Sequence, residues 1–154
     1  MRLALGAPGG HVRDGCRRPN VLLVDDDADM RALLKVVLEA EGYRVLEAGG
    51  GDEAAALASQ RVDAVILDKE MPGASGFEVL ARLRRRHPEV PVIFITAFGG
   101  RRAAEQALRG GARCYLEKPV RMAEIVDAVA RVTLEPGETL ATRGNRPGEA
   151  EAGR

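Results

Sequence analysis

Residues 21–26 read Val21-Leu22-Leu23-Val24-Asp25-Asp26, a short apolar run that ends in two carboxylates. Two other runs follow the same design, because residues 65–67 lead into Asp68 and residues 92–95 lead into Thr96. Nearly continuous apolar runs of this length are typical of strands in a parallel sheet, whose two faces are both covered by helices. The sequence therefore predicts buried strands that each end at a polar side chain.

The segments between these runs are longer and amphipathic, and five strand–helix units fit the pattern, which is typical of an α/β fold with a five-stranded parallel sheet. The predicted strands are 21–24, 43–47, 62–67, 91–95 and 113–116. The predicted helices are 28–41, 51–60, 77–86, 101–109 and 121–133. Asp27 and Asp52 are expected to cap the first two helices. The apolar stripe predicted for the first helix contains Met30, Leu33, Leu34, Val37 and Leu38.

The length of 154 residues allows one ordinary domain. We place this domain at residues 20–133. Residues 1–19 and 134–154 are rich in glycine and charge and poor in large apolar side chains. Such segments cannot bury enough surface to offset the entropy of ordering, so we predict a flexible leader and a flexible tail.

Charge and cysteine content narrow the classes of partner. The 23 basic and 23 acidic residues give a net charge of zero, so no overall field draws the protein to nucleic acid or to a membrane. Cys16 and Cys114 lie far apart in the sequence, which argues against a disulfide framework and favours a reducing cytoplasm. No apolar run has the length of a signal peptide or of a membrane span.

Several polar residues are predicted to meet at one edge of the sheet. Right-handed crossovers bring the carboxyl ends of parallel strands to the same edge, where open α/β folds bind their ligands. The residues at or just after the strand ends are Asp25, Asp26, Asp68, Thr96 and Lys118. We therefore expect carboxylates, a hydroxyl and an ammonium group to converge there.

This combination of side chains suits a divalent cation. Three carboxylates at one place repel each other unless a cation lies among them. Mg²⁺ binds through carboxylates, water and phosphate oxygens, so we predict Asp25, Asp26 and Asp68 as its ligands. The turn at Met71-Pro72-Gly73 would fold the backbone over the metal and offer the carbonyl of Glu70 as a further ligand.

The same residues suit phosphoryl transfer. Lys118 can pair with phosphate oxygens, and Thr96 supplies a hydroxyl donor. Phosphoryl transfer needs chiefly positioning and neutralisation of charge, so a metal, a lysine and a hydroxyl suffice. A carboxylate can act as the nucleophile and form an aspartyl-phosphate, and Asp68, at the end of the central strand, is the predicted nucleophile. The bond between Lys118 and Pro119 is a candidate for a cis peptide that aims the ammonium inward.

Taken together, the motifs resemble the receiver domain of the two-component response regulators over about residues 20–133. The matching stretches are residues 21–27, 67–73, 95–97 and 115–119, together with Gly76. The resemblance implies a flavodoxin-like (βα)5 fold, a three-layer sandwich around a five-stranded parallel sheet. It also implies a phosphoacceptor of the stand-alone type, because no output domain is predicted after Thr133.

The resemblance assigns roles to individual residues. Asp68 would take a phosphoryl group from a phosphohistidine of a sensor histidine kinase or a histidine phosphotransfer protein, with Mg²⁺ held by the acidic residues and the Glu70 carbonyl. Thr96 would bind a phosphoryl oxygen, and Tyr115 would swing inward with it. The face of the fourth helix, fifth strand and fifth helix would then meet a downstream protein target, and a homodimer through this face stays open.

The expected chemistry is confined to the chain itself. The protein would catalyse its own phosphorylation and dephosphorylation without turning over a separate substrate. Glu70 and Phe98 resemble the family positions that control access of water to the phosphoryl group, and the bulk of Phe98 is expected to slow hydrolysis. No direct contact with nucleic acid or a membrane is expected.

Three alternative functions can be compared with this one. A nucleotide-binding fold of this topology would have a glycine-rich turn after the first strand, where this chain is acidic. A haloacid-dehalogenase-type phosphatase would have a second aspartate two residues after the nucleophile, where Glu70 stands. The third is a receiver-like docking module that works without phosphorylation. Titration with Mg²⁺ would distinguish it from a phosphoacceptor, because a docking module need not bind the cation.

Overall fold

The computed structural model describes residues 18–70, 75–97 and 100–134, in which five strands and five helices alternate. The strands are β1 (Asn20–Val24), β2 (Arg44–Ala48), β3 (Ala64–Asp68), β4 (Val92–Thr96) and β5 (Cys114–Glu117). The helices are α1 (Ala28–Ala40), α2 (Gly51–Leu57), α3 (Gly76–Arg86), α4 (Gly100–Arg109) and α5 (Met122–Leu134). The predicted alternation is confirmed, with boundaries that shift by a few residues.

The strands form one parallel sheet in the order β2-β1-β3-β4-β5. Because all pairs are parallel, the carboxyl ends of the strands lie at one edge. In the register, Asp68 lies opposite Ile95, and Thr96 lies opposite Glu117. The end of β3 is thus flanked by the ends of β1 and β4, as the predicted flavodoxin-like fold requires.

Two apolar clusters cover the two faces of the sheet. One contains buried residues of α1 and α5, such as Leu38 and Val129, packed on Leu23 and Ile93. The other contains buried residues of α2, α3 and α4, packed on the opposite face around Phe94. Each fully buried Leu, Ile or Phe contributes about 1.5–3 kcal/mol, so the three layers stabilise one another. Within the described ranges, no helix is both long and apolar enough to cross a membrane.

Local signals fix both ends of α1 as expected. Asp27 caps α1, because its side chain accepts hydrogen bonds from the amides of Asp29 (3.0 Å) and Met30 (3.2 Å). Gly42, with φ of 101°, follows the end of α1 in a conformation that favours glycine. These short-range contacts orient the chain as it leaves the acidic end of β1.

Two predictions about helices are wrong. Leu33 is 48% exposed, because the buried face of α1 is narrower than the apolar stripe and is centred on Leu34 and Leu38. Asp52 does not cap α2, since Gly50 holds the N-cap position with extended dihedral angles and no side-chain hydrogen bond. Asp52 instead lies within the first turn and pairs with Arg82 of α3 at 3.3 Å.

Candidate functional site

The polar residues predicted to converge lie around the carboxyl edge of the sheet. Asp25 follows β1, Asp68 ends β3, Thr96 ends β4 and Lys118 follows β5. Of these, Asp25, Asp68 and Thr96 are buried, at 8%, 6% and 0% exposure. Buried polar groups need partners, so the contacts of each decide what this edge of the sheet can do.

Three carboxylates form the acidic part of the site. Asp25, Asp26 and Asp68 each offer an oxygen, and these oxygens lie within 4.8 Å of one another. The Asp25 carboxylate is held by the amide of Asp27, which donates to it at 2.9 Å. Hard oxygen ligands at this spacing fit a divalent cation such as Mg²⁺, which also relieves their mutual repulsion.

The pKa of Asp68 is strongly raised by its surroundings. Burial and the charge of Asp25 raise its pKa to about 6, although Lys118 and the amide of Glu70 act in the opposite direction. The Lys118 ammonium lies 3.3 Å from the Asp68 carboxylate, and the Glu70 amide donates to that carboxylate at 3.1 Å. Strongly perturbed carboxylates of this kind are concentrated at functional sites.

The loop after β5 positions the lysine. The amide of Lys118 donates to the carbonyl of Thr96 at 2.8 Å, which extends the pairing of β4 and β5 beyond the strands. The bond between Lys118 and Pro119 is cis, as the sequence suggested. The ammonium therefore faces Asp68 from a backbone that is tied to the neighbouring strand.

The Glu70 side chain makes contacts that sequence reasoning missed. Thr96 Oγ1 donates to one carboxylate oxygen of Glu70 at 2.8 Å, and the amide of Ala97 donates to the other at 3.1 Å. Burial raises the pKa of Glu70, but these hydrogen bonds, together with the charges of Lys69 and Lys118, outweigh it, so that its pKa lies below the usual value. From the sequence, Glu70 was assigned a role only through its carbonyl and its position, because the direction of a side chain after a strand end has no signature in the sequence.

Tyr115 lies on the other face of the sheet within a row of aromatic rings. Its ring is 2% exposed and stacks near Phe94 with centroids 6.5 Å apart, and Phe94 in turn lies 5.0 Å from Phe77. Burial, together with the charges of Glu117 and Glu70, raises the pKa of Tyr115 to about 12. Tyr115, which the resemblance implied would swing inward, is thus already buried in this structure.

An apolar cavity of about 240 Å³ lies beside the acidic residues. It is bounded by side chains of the sheet, α1, α5 and the β5–α5 loop, and Asp25, Asp68 and Lys118 also line it. An apolar surface next to a carboxylate offers it little solvation, which is consistent with the raised pKa of Asp68. The cavity could not be predicted from the sequence, because it depends on how side chains from four segments fit together.

Two further expectations fall on residues outside those that the structure describes. These are the turn at Met71-Pro72-Gly73 and the role of Phe98. The leader and tail proposed for the chain ends lie almost entirely outside as well, since the description begins at Arg18 and ends at Leu134.

Comparison with known proteins supports this description. A family model for the response regulator receiver domain matches residues 21–130. The transcriptional regulatory protein CpxR of Klebsiella pneumoniae is 40% identical over 112 residues, which are 73% of this chain and 48% of that protein. The response regulator TrrA of Thermotoga maritima, solved in complex with Mg²⁺ and BeF, is 35% identical with a TM-score of 0.67 and covers 74% of this chain and 98% of its own. A response regulator of Burkholderia pseudomallei, solved with a phosphorylated aspartic acid, a calcium ion and citrate, is 29% identical with a TM-score of 0.67, over 77% of this chain and 73% of its own.

The fold and the site define a flavodoxin-like α/β domain with an acidic, lysine-bearing centre at the carboxyl edge of its sheet. The chain belongs to the response regulator receiver domain family. It spans about half the length of the curated relatives it matches. The matched region makes up 48% of CpxR and 55% of AfsQ1 of Streptomyces coelicolor. The match is therefore to one part of each of those relatives.

Proposed function

We propose that Asp68 accepts a phosphoryl group from a phosphohistidine of a sensor histidine kinase or a histidine phosphotransfer protein. The observation that carries this proposal is the setting of Asp68, which is buried beside two other carboxylates and lies 3.3 Å from the Lys118 ammonium. An oxygen of Asp68 forms the new bond to phosphorus while the bond from phosphorus to the imidazole nitrogen breaks. The electron pair of the broken bond leaves on that nitrogen.

Mg²⁺ is the cofactor that the donor set favours. Asp25, Asp26 and Asp68 would hold it, with the carbonyl of Glu70 as a further ligand. Bound there, it would neutralise charge on the phosphoryl oxygens. Lys118 supplies a second positive charge to the same oxygens, and the hydrogen bond from its backbone amide to the carbonyl of Thr96 ties its backbone to the end of β4.

The response to phosphorylation would pass through Thr96 and Tyr115. Thr96 ends β4 and its hydroxyl can donate to a phosphoryl oxygen, while Tyr115 lies on β5 in the same pair of strands. Changes there would alter the face of α4, β5 and α5, which would bind a downstream protein target or a second copy of the chain. We place this exchange in the cytoplasm, with no separate substrate turned over.

Phosphorylation by a small donor tests the proposal. Purified protein is incubated with acetyl phosphate, with and without Mg²⁺, and its intact mass is measured. We expect a gain of one phosphoryl group in the parent with Mg²⁺ and no gain in Asp68→Asn. Asp52→Asn is the matched control, because the side chain of Asp52 is fully exposed on α2, and it should gain the group normally.

Failure of the folded parent to gain the group would contradict the proposal. A mass gain that persists in Asp68→Asn would assign the chemistry to another residue. The first result would support the phosphorylation-independent docking module in place of the phosphoacceptor.

A further inference from the structure

The Glu70 carboxylate bridges the ends of β3 and β4. Both of its oxygens accept hydrogen bonds, one from Thr96 Oγ1 at 2.8 Å and one from the amide of Ala97 at 3.1 Å. Its own amide donates to Asp68 at 3.1 Å. One residue therefore contacts the proposed phosphoacceptor through its backbone and the end of β4 through its side chain.

Glu70 accepts hydrogen bonds from the same donors at the end of β4 that could bind a phosphoryl group on Asp68. Asp68 lies opposite Ile95 in the register, so the next two residues on that side are Thr96, which ends β4, and Ala97, which follows it. A phosphoryl group resembles a carboxylate in presenting several strong, negatively charged acceptors. Because a hydroxyl has a single hydrogen and an amide has another, each forms one strong hydrogen bond at a time. Glu70 and a phosphoryl group on Asp68 would compete for both.

We propose that Glu70 is a positioning residue whose carboxylate competes with the phosphoryl group for Thr96 Oγ1 and the amide of Ala97, so that it sets the equilibrium between the two arrangements. This inference rests on the proposed phosphorylation of Asp68. Glu70 acts through Thr96 and Ala97 and is not itself a reacting group. It holds the end of β4 against β3 until a stronger acceptor displaces it.

Lys69 gives the displaced carboxylate a second partner. Its ammonium lies 3.7 Å from the Glu70 carboxylate oxygen that accepts from Thr96, and 5.8 Å from the centre of the Phe77 ring. An ammonium that lies between an aromatic ring and a carboxylate can retain the carboxylate after Thr96 turns away. Release of Thr96 therefore does not leave the charge of Glu70 without a counterion.

Binding of fluoroberyllate, a mimic of the phosphoryl group, tests this proposal without a kinase. Affinity is measured by calorimetry with saturating Mg²⁺ for the parent, Glu70→Ala, Glu70→Gln and Glu117→Gln. Loss of a charge-assisted competitor should tighten binding roughly tenfold in Glu70→Ala, with a smaller gain in Glu70→Gln, which keeps one acceptor. Glu117→Gln is the charge control, because this exposed residue at the same edge lies opposite Thr96 in the register, on β5.

A second set of variants separates competition from a general loosening of the fold. In a Thr96→Ala background, the gain from Glu70→Ala should fall to about threefold or less, since only the amide of Ala97 remains to be released. A purely structural role would give the same gain in both backgrounds. Circular dichroism confirms that each variant is folded.

Three outcomes would overturn the inference. Equal affinities in the parent and Glu70→Ala, an equal gain in Glu117→Gln, or an undiminished gain in the Thr96→Ala background would each show that competition for these donors is absent. If the folded parent binds no fluoroberyllate and also gains no mass with acetyl phosphate, the proposed function fails, and this inference fails with it.

Discussion

The charged form of Asp68 is unfavourable in the folded chain, and its neighbours compensate for this only in part. Its carboxyl is buried beside Asp25, and these two features raise its pKa to about 6, while Lys118 offsets only part of the effect. A stable fold would gain by removing one of these charges. Retaining all of them makes sense where a cation is to be bound, because the repulsion between the carboxylates favours the cation. The charges of the cation and of Lys118 then favour a phosphoryl group at the same place.

The raised pKa of Asp68 predicts how stability depends on pH in metal-free protein. The folded pKa, about 6, lies above the ordinary value of 3.8, so the folded state binds a proton more tightly than the unfolded state. Stability contributed by the protonated group is present below pH 3.8 and is lost as pH rises through 6. Asp68→Asn should therefore be more stable than the parent at pH 7.5, by on the order of 2 kcal/mol, and the difference should shrink towards pH 4.

Denaturant unfolding in the presence of a chelator measures this difference. Asp52→Asn serves as the control, since its exposed carboxylate should leave the pH profile of the parent unchanged. If the difference in the free energy of unfolding between Asp68→Asn and the parent stays constant from pH 4 to pH 7.5, the pKa of Asp68 is not raised in the folded state.

The side chains at the site divide into those that sequence could and could not predict. Asp25, Asp68, Thr96 and Lys118 end or follow strands, so the direction of the chain was enough to bring them together. The contacts of the Glu70 carboxylate could not be predicted in the same way. They depend on backbone conformation beyond the strand, where the alternation of faces no longer applies.

Among the secondary-structure elements, the start of α3 packs closely against the end of β3. Gly76, the first residue of α3, lies so close to the end of β3 that an added Cβ would stand 2.5 Å from the Cα of Lys69 and 3.1 Å from the carbonyl oxygen of Asp68. Both obstacles are backbone atoms, which cannot turn aside as a side chain can. The close approach fixes where α3 begins relative to Asp68.

Gly76→Ala should therefore displace the start of α3 from the end of β3. We expect a loss of about 1–3 kcal/mol in the free energy of unfolding and slower phosphorylation of Asp68, because the end of β3 must shift. Chemical denaturation and the rate of mass gain with acetyl phosphate measure the two effects. Gly50→Ser is the control, since a Cβ at Gly50 meets nothing within 4 Å and serine is a good N-cap for α2. Unchanged stability in Gly76→Ala would contradict the proposed packing.

The element pattern was also the part of the fold that the sequence encoded best. Apolar runs marked β1, β3 and β4, which are almost entirely buried, and the alternation with helices indicated a parallel sheet. The edge strand β2 carries an exposed Arg44 and a half-buried Glu47, so its signal was weaker. The exposure of Leu33 could not be read in the same way. Position on a helix gives the direction of a side chain, but the width of the buried face depends on how closely neighbouring elements approach.

In the whole molecule, the proposed phosphorylation site and the aromatic row lie on opposite faces of the sheet. The acidic residues and the apolar cavity lie on the side of α1 and α5, whereas Tyr115 and the aromatic row lie on the side of α2, α3 and α4. The hydrogen bond from Thr96 to Glu70 joins the end of β4 to the residues that follow β3, at the carboxyl edge that both sides share. Phosphorylation on one face could thus be reported on the other through a single strand end.

The proposed transfer from a phosphorus–nitrogen donor to Asp68 can be trapped chemically and located in the chain. The protein is treated with phosphoramidate and Mg²⁺, reduced with borohydride, which converts an aspartyl-phosphate to homoserine, and mapped by peptide mass spectrometry. We predict homoserine at position 68 alone, and none when Mg²⁺ is omitted. Homoserine at another aspartate, or none in folded protein with Mg²⁺, would contradict the account.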